Sequence, residues 1–370
     1  MRFKKYDTNW DRKKLSDYVK KITRKNSNNV IKNVICNSAQ NGLIPQLDFF
    51  DKEIANNENT AGYYIISNGD FVYNPRKSLS APYGPVNIYK YDSDGIVSPL
   101  YLCFSVDNCI NKSFLLQRFK SPCWYRYIYL NGDSGARHDR VSIKDEVFLS
   151  QPINLPNAEE QAVIAEFLEK IDERISVQNK IISKYETLIK GISNDIFNRA
   201  DGQEYDLGKI ASIYQPQTIT KSDLVENGSY PVYGANGVIG YFSQFNHKES
   251  QIMITCRGST CGTVNISVPY SWITGNAMVI NVDDYKEKVD KMYLYYYLRT
   301  LPWEELISGS GQPQIVRGPL LTLKVSLPPL DRQIEIRKII DVFVIKLEIE
   351  KRMLSVLQKQ KAFLLQSMFI

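Results

Sequence analysis

Apolar residues recur at alternating steps of four and three in two stretches of the chain, residues 155–197 and 327–369. The stretches lie 172 positions apart, and each opens with Leu-Pro and has a glutamine at its seventh position. This spacing keeps one stripe of a helix facing a partner helix. The pattern therefore predicts two long helices that bury their seams against each other. The seam positions are Ile164, Leu168, Ile171, Ile175 and Ile182 in the first copy and Ile336, Ile340, Phe343, Leu347 and Leu354 in the second.

The expected pairing of these helices is antiparallel, because a globular segment of about 130 residues separates them and can return the chain. Asn157 followed by Glu160 predicts a capping box at the start of the first helix. Polar residues interrupt both seams at Gln178, Glu350 and Lys361. Polar groups in a seam select one register at a cost in stability, whereas at exposed positions they have no such role. The sequence leaves both interpretations open.

The remaining segments contain short apolar runs separated by glycine and proline turns, which is typical of strands. Leu100–Val106 and Gln251–Thr255 are two such runs, and Tyr293–Leu298 predicts a helix packed on a sheet. We therefore predict an α+β fold with two globular domains, separated by two long helices in an antiparallel coiled coil with a pseudo-two-fold repeat. The predicted boundaries are 1–154 for the first domain, 155–198 for the first helix, 199–326 for the second domain and 327–370 for the second helix.

Composition and charge only weakly limit the possible partners and functions of the chain. The net charge of +6 favours anionic partners only slightly. The six cysteines form no C-x-x-C pair and there are two histidines, so no metal site is predicted. Free thiols and the lack of a signal peptide or an apolar span of about 20 residues indicate a cytoplasmic protein without membrane contact.

The sequence contains no phosphate-binding loop, no G-x-G-x-x-G, no H-E-x-x-H and no G-x-S-x-G. The Asn-Pro-Pro-aromatic loop of adenine methyltransferases is also absent, since Asn74-Pro75-Arg76 does not fit it. We therefore predict no catalytic residue. An enzyme with an unfamiliar site, such as a nuclease, remains one alternative.

Polar, glycine-containing loops precede both helices, at 132–140 and 308–318. Arginine can bridge guanine O6 and N7, glutamine can bridge adenine N6 and N7, and glycine lets the backbone approach phosphates. Two further turns, at 76–78 and 257–260, carry similar groups. The sequence thus predicts DNA contacts by Arg76, Lys77, Arg137, His138, Arg140, Arg257, Ser259, Thr260, Gln312, Gln314 and Arg317.

Over its whole length the chain resembles the specificity subunits of type I restriction-modification systems. The resemblance rests on the Leu-Pro…Gln…Ile openings of both helical copies, on Tyr233–Tyr241 and on Arg257–Gly262. It adds Tyr233 and Asn236 to the candidate DNA contacts. The first domain departs from the signature, since its Tyr83–Val86 is only a faint echo.

The resemblance implies a non-catalytic, sequence-specific DNA-binding protein whose two target-recognition domains each read half of a bipartite double-stranded target. Two methyltransferase subunits would pack along the helices and flip the target adenine for transfer from S-adenosylmethionine. Restriction subunits that translocate DNA would use ATP with magnesium, and this chain itself would bind no cofactor. A coiled-coil scaffold for protein partners, without DNA specificity, is the other alternative.

Overall fold

The computed structural model of the chain describes residue 3 and residues 5–6, 9–48, 60–133, 139–234, 236–309 and 311–369. It divides into two compact units. Unit 1 comprises Met1–Asn179 together with Met353–Ile370, and unit 2 comprises Lys180–Arg352. Each unit contains one globular segment and part of each long helix.

Unit 1 is built on a four-stranded antiparallel sheet in the order β2-β9-β6-β7. Its strands are β1 Asp11–Lys14, β2 Val19–Lys21, β3 Ile35–Ser38, β4 Gly42–Pro45, β5 Tyr64–Ile66, β6 Phe71–Tyr73, β7 Val86–Ile88, β8 Gly95–Val97, β9 Leu102–Val106 and β10 Pro152–Leu155. Its helices are α1 Lys112–Lys120, α2 Tyr125–Asn131, α3 Asp145–Leu149 and the first part of α4 Ala158–Arg199.

Unit 2 is built on a second four-stranded antiparallel sheet, in the order β12-β18-β15-β16. Its strands are β11 Gln203–Asp206, β12 Ser212–Tyr214, β13 Tyr230–Gly234, β14 Gly237–Phe242, β15 Ile252–Thr255, β16 Val264–Ile266, β17 Trp272–Ile273, β18 Ala277–Asn281 and β19 Lys324–Leu327. Its helices are α5 Lys291–Leu298, α6 Arg317–Thr322 and the first part of α7 Leu330–Met368. The predicted helix at 293–298 is thereby confirmed.

The two units share the topology of their central sheets and of the strand pair next to each long helix, whereas their smaller sheets differ. In unit 1 the first and last strands, β1 and β10, pair antiparallel with Asp11 opposite Leu155. In unit 2, β11 and β19 pair in the same way with Gln203 opposite Leu327. The central sheets then follow the same strand order. The duplication seen in the helices therefore extends through both globular segments.

Equivalent tryptophans close the helix that packs on each sheet. The indole of Trp124 donates to the carbonyl of Phe119 at 3.0 Å, and the indole of Trp303 donates to the carbonyl of Leu298 at 2.9 Å. Both rings are buried. A buried indole N–H needs an acceptor, and the free carbonyl at a helix end supplies one. The same solution in both units supports their common origin.

The glutamine of each Leu-Pro opening attaches a long helix to its globular segment. Gln161 accepts from the backbone N–H of Asn111 at 2.9 Å and donates to the carbonyl of the preceding proline at 3.0 Å. Gln333 makes the same pair of bonds, accepting from the N–H of Asp290 and donating to the carbonyl of Pro328, both at 2.9 Å. Both amides are buried. The sequence motif thus marks the junction between helix and sheet domain.

Seam residues of α4 and α7 are packed in both units. Among the seam positions, Ile182 is buried. Four others are half-buried, namely Ile175, Phe343, Leu347 and Leu354. In unit 1 one core contains Ile164, Leu168 and Ile171 of α4 with Leu364, Leu365 and Met368 of α7. In unit 2 another core contains Ile336 and Ile340 of α7 with Phe197 of α4. The end of α7 thus packs on the start of α4, and the start of α7 on the end of α4, so the predicted antiparallel pairing is confirmed.

At the start of α4, the side chain of Asn157 accepts from the N–H of Glu160 at 2.9 Å, which is one of the two bonds of the predicted capping box.

Within the part of the chain that is described, none of the helices has the length and apolar character that crossing a membrane requires.

Candidate nucleic-acid interface

In unit 2, the turn after β15 brings together two of the predicted DNA-contacting residues. The N–H of Gly258 donates to the carbonyl of Pro313 at 3.0 Å, and the N–H of Ile315 donates to the carbonyl of Cys256 at 3.1 Å. These two bonds flank Arg257 and Gln314, which lie directly opposite each other as an antiparallel bridge. Gly258 has a φ of +89°, which favours glycine at this turn.

The segment that carries Gln314 also forms a tight hairpin with Ser308. Each of the two residues donates its N–H to the carbonyl of the other, at 2.9 and 2.8 Å. Gly309, with a φ of +94°, makes the turn possible. Gln312 and Arg317 are exposed beside it, and Arg317 is the first residue of α6. The described residues of the loop predicted before the second long helix therefore form a hairpin, and the side chains of Gln312, Gln314 and Arg317 lie in solvent.

Unit 1 repeats this arrangement between the turn at 76–78 and the end of the loop at 132–140. The N–H of Lys77 donates to the carbonyl of Asp139 at 2.8 Å, and the N–H of Val141 donates to the carbonyl of Pro75 at 2.9 Å. Between these bonds Arg76 and Arg140 lie opposite each other as an antiparallel bridge. Each unit thus places two predicted base-reading residues side by side at the same point of its topology.

A cavity of about 430 Å³ lies beside the Arg76–Arg140 bridge. Its lining includes both arginines, Lys77 and two residues that the sequence analysis missed, Gln40 and Tyr101. Gln40 lies in the tight turn between β3 and β4, and burial raises the pKa of the Tyr101 hydroxyl. An Asn-Gly pair at 41–42 is a strong hairpin signal and could have found this turn.

Hydrogen bonds of asparagine side chains hold the β3–β4 hairpin beside the turn that carries Arg76. Asn37 donates to the carbonyl of Val72 at 2.8 Å, and its own side-chain oxygen accepts from Asn87 at 2.7 Å. Asn74, two residues before Arg76, donates to the carbonyl of Asn37 at 3.1 Å. These hydrogen bonds therefore connect the hairpin to the turn that carries Arg76.

The electrostatics of this cavity favour an electron-rich ligand. Like charges directly opposite each other on paired strands are destabilising. Among the described residues, Arg76 has one ion pair, in which its Nε lies 3.8 Å from a carboxylate oxygen of Asp139. The Nε of Arg140 is buried and lacks a hydrogen-bond partner among them. An anion or a base edge rich in acceptors would compensate both groups.

The remaining predicted DNA contacts differ in their exposure to solvent. Arg257 and Ser259 are exposed and Thr260 is half-buried in the turn of unit 2, and Asn236 is exposed in the β13–β14 turn. Tyr233 is the exception, because its ring is part of a buried cluster and its hydroxyl accepts from the N–H of Val268 at 3.2 Å. Its place is in the core rather than on a binding surface. Arg137 and His138 lie outside the described residues.

Two solved structures share the fold of the chain. One is the S subunit of a type I restriction-modification system from M. genitalium, with 17% identity, a TM-score of 0.60 and coverage of 98% of this chain and 97% of that one. The other comes from work on complex assembly and conformational transition of the type I R-M system, with 15% identity, a TM-score of 0.60 and 97% coverage of both chains.

The sequence matches the type I restriction modification DNA specificity domain twice, over residues 8–187 and 200–359. Together these matches cover most of the chain, which therefore belongs to this family. The two matches correspond to the two copies of the sheet domain and its helix.

Two curated relatives agree with this assignment. The chain is 26% identical over 186 residues to the EcoprrI specificity subunit of Escherichia coli, which is 49% of this chain and 45% of that protein. It is 30% identical over 125 residues to a putative type I restriction enzyme specificity subunit of Haemophilus influenzae, which is 33% of this chain and 31% of that protein. The chain thus spans less than half the length of these two relatives.

Proposed function

We propose that this protein is the DNA-reading subunit of a type I restriction-modification complex, with each unit contacting one half of a bipartite target. The observation that carries the proposal is the repeated bridge, Arg76 opposite Arg140 and Arg257 opposite Gln314. Arginine and glutamine are the side chains that read guanine and adenine edges in the major groove. A packing scaffold would not require such pairs at the same point of both units.

We also propose that two methyltransferase subunits dock on the long helices. On α7, within unit 2, Val342, Ile345 and Ile349 are 65%, 60% and 50% exposed at helical spacing. The residues 172 positions earlier on α4 are Lys170, Glu173 and Val177, so the two helices offer unequal outer faces. An exposed apolar stripe on a helix favours a protein partner. The scaffold alternative explains this stripe but not the two bridges.

In this proposal the chain has no catalytic role and binds no cofactor. S-adenosylmethionine would bind to the methyltransferase subunits, and ATP with magnesium to the restriction subunits. The complex would work in the cytoplasm, where the free thiols of the six cysteines persist. The long helices would determine how many unread base pairs separate the two half-sites.

The direct test is methylation-aware sequencing of DNA from cells that express the complete system. We expect methylated adenines in one sequence motif with two defined halves and an undefined gap. Cells lacking only this chain should show no such motif. A motif that persists without the chain would overturn the proposal, and so would methylation without any sequence preference.

A further inference from the structure

The repeated bridge allows the reading residues of the two units to be compared position by position. Arg76 and Arg257 each follow the strand in the third position of their sheet, β6 and β15. Their opposing residues are Arg140 in unit 1 and Gln314 in unit 2. The residue after each opposing residue is a buried anchor, Val141 or Ile315, which fixes the register of the bridge in the same way.

At each bridge the hydrogen bonds are made by the flanking residues. The two bridged residues are therefore a non-hydrogen-bonded pair of antiparallel strands. In such pairs the side chains lie on the same face and approach closely, with Cβ atoms about 4.5–5.5 Å apart. Two side chains at that separation can contact neighbouring base pairs, which stack about 3.4 Å apart. One of the two positions is arginine in both units, and the other is arginine in unit 1 but glutamine in unit 2.

We propose that the second bridge position sets a difference between the two half-sites. Arg140 reads guanine in the half-site of unit 1, and Gln314 reads adenine at the corresponding position in the half-site of unit 2. Arg76 and Arg257 read a guanine next to these positions in both halves. This inference rests on the proposed DNA-reading function, because it names the bases that the same site recognises.

The wild-type motif is the first test, and it uses methylation-aware sequencing of the complete system. We expect a guanine in each half-site, next to a second guanine in the half read by unit 1 and next to an adenine in the half read by unit 2. A half-site without a defined guanine would overturn the assignment for that unit. A wild type without any motif would instead refute the proposed function itself.

Reciprocal variants then test the second position. Arg140→Gln should change the preference at one position of the unit 1 half-site from guanine to adenine, by about tenfold to a hundredfold. Gln314→Arg should make the opposite change in the other half-site. Each variant leaves the other half-site as an internal measure of folding. If one variant fails to fold, the other variant and the wild-type motif still decide the question.

The control for loss of charge is Arg126→Gln, because Arg126 is exposed on α2 of the same unit. It should leave the motif unchanged. An Arg140→Gln protein with an unchanged motif, or one that binds all duplexes more weakly to the same degree, would overturn the inference. The second result would mark Arg140 as a phosphate contact.

Discussion

Lys361 of α7 forms an ion pair with Asp172 of α4 inside unit 1. Asp172 also accepts from Gln117 at 2.9 Å and from Lys120 at 3.1 Å, both on α1. Burial raises the pKa of Asp172, but the two lysines and Gln117 together hold it below its ordinary value. Burial and the neighbouring Lys120 lower the pKa of Lys361. One carboxylate thus joins three helices, and Lys361 at its seam position is half-buried rather than exposed.

Removing this lysine should destabilise unit 1. We expect Lys361→Ala to lower the free energy of unfolding by about 1.5–3 kcal/mol, the contribution of a hydrogen bond to a charged group. Urea unfolding measures this. Lys359→Ala, at an exposed position on the same helix, is the matched control and should be within about 0.5 kcal/mol of wild type. Equal effects of the two substitutions would show that the pair adds no stability.

The glutamine of the Leu-Pro opening should be as important in unit 2. Gln333→Ala leaves the N–H of Asp290 and a proline carbonyl without their partner, and an unsatisfied buried group costs about 1–3 kcal/mol. The neighbouring Arg332 is exposed, so Arg332→Ala serves as the control. Urea unfolding of both variants gives the comparison. A Gln333→Ala protein as stable as the control would refute the attachment described for this residue.

Unit 2 should lose stability in mild acid through His247. This residue is buried, with its Nε2 3.0 Å from the Tyr214 hydroxyl and its Nδ1 2.6 Å from the Asn246 side-chain oxygen. Burial lowers its pKa below the ordinary 6.5, against the opposing effect of Asp283. Below pH 6.5 the unfolded chain therefore binds a proton that the folded chain does not, so stability falls as the pH decreases through this range.

Thermal unfolding between pH 7.5 and pH 5.5 checks this dependence. In His247→Gln the midpoint temperature of unfolding should fall less between pH 7.5 and pH 5.5 than in wild type, even if the variant is less stable at every pH. A variant with the same slope as wild type would assign the pH dependence to other groups.

Arg317 is predicted to contribute to discrimination in the second half-site. It is exposed at the start of α6, next to the hairpin that carries Gln314. We expect Arg317→Ala to weaken binding of the specific duplex by about 1–3 kcal/mol more than binding of a random one. Duplex titrations by the assembled complex at fixed salt measure both. Equal losses would identify a phosphate contact instead.

The proposed role of the helices in spacing can be tested by deleting one heptad from each of α4 and α7. Seven residues correspond to about 10 Å of helix, or about three base-pair steps. The gap in the methylated motif should become shorter while both half-sites stay the same. A motif with altered half-sites and the original gap would contradict this role.

The long helices could be predicted because the seam and its duplication are local sequence patterns that two helices satisfy together. The polar residue Lys361 left two interpretations open, because its partner Asp172 lies 189 positions away and no local pattern connects them. The shared topology of the globular segments was missed for a related reason. Strand order and register depend on pairings between distant residues, such as Asp11 with Leu155.

The candidate site was predictable in kind but not in arrangement. Residue chemistry singled out Arg76, Arg140, Arg257 and Gln314, yet only the fold shows that they are opposed in pairs. Tyr233 was selected from a family signature, whereas its ring fills the core. A signature residue can be required for packing as well as for contact, and sequence alone does not separate these roles.

In the proposed function each unit reads its own half of the target. Its most direct test exchanges residues 199–326 for the same segment of a relative with a different specificity and determines the methylated motif of the complete system by methylation-aware sequencing. We expect one half of the motif to change to that of the relative while the other half stays the same. An unchanged motif, or a change in both halves, would contradict it.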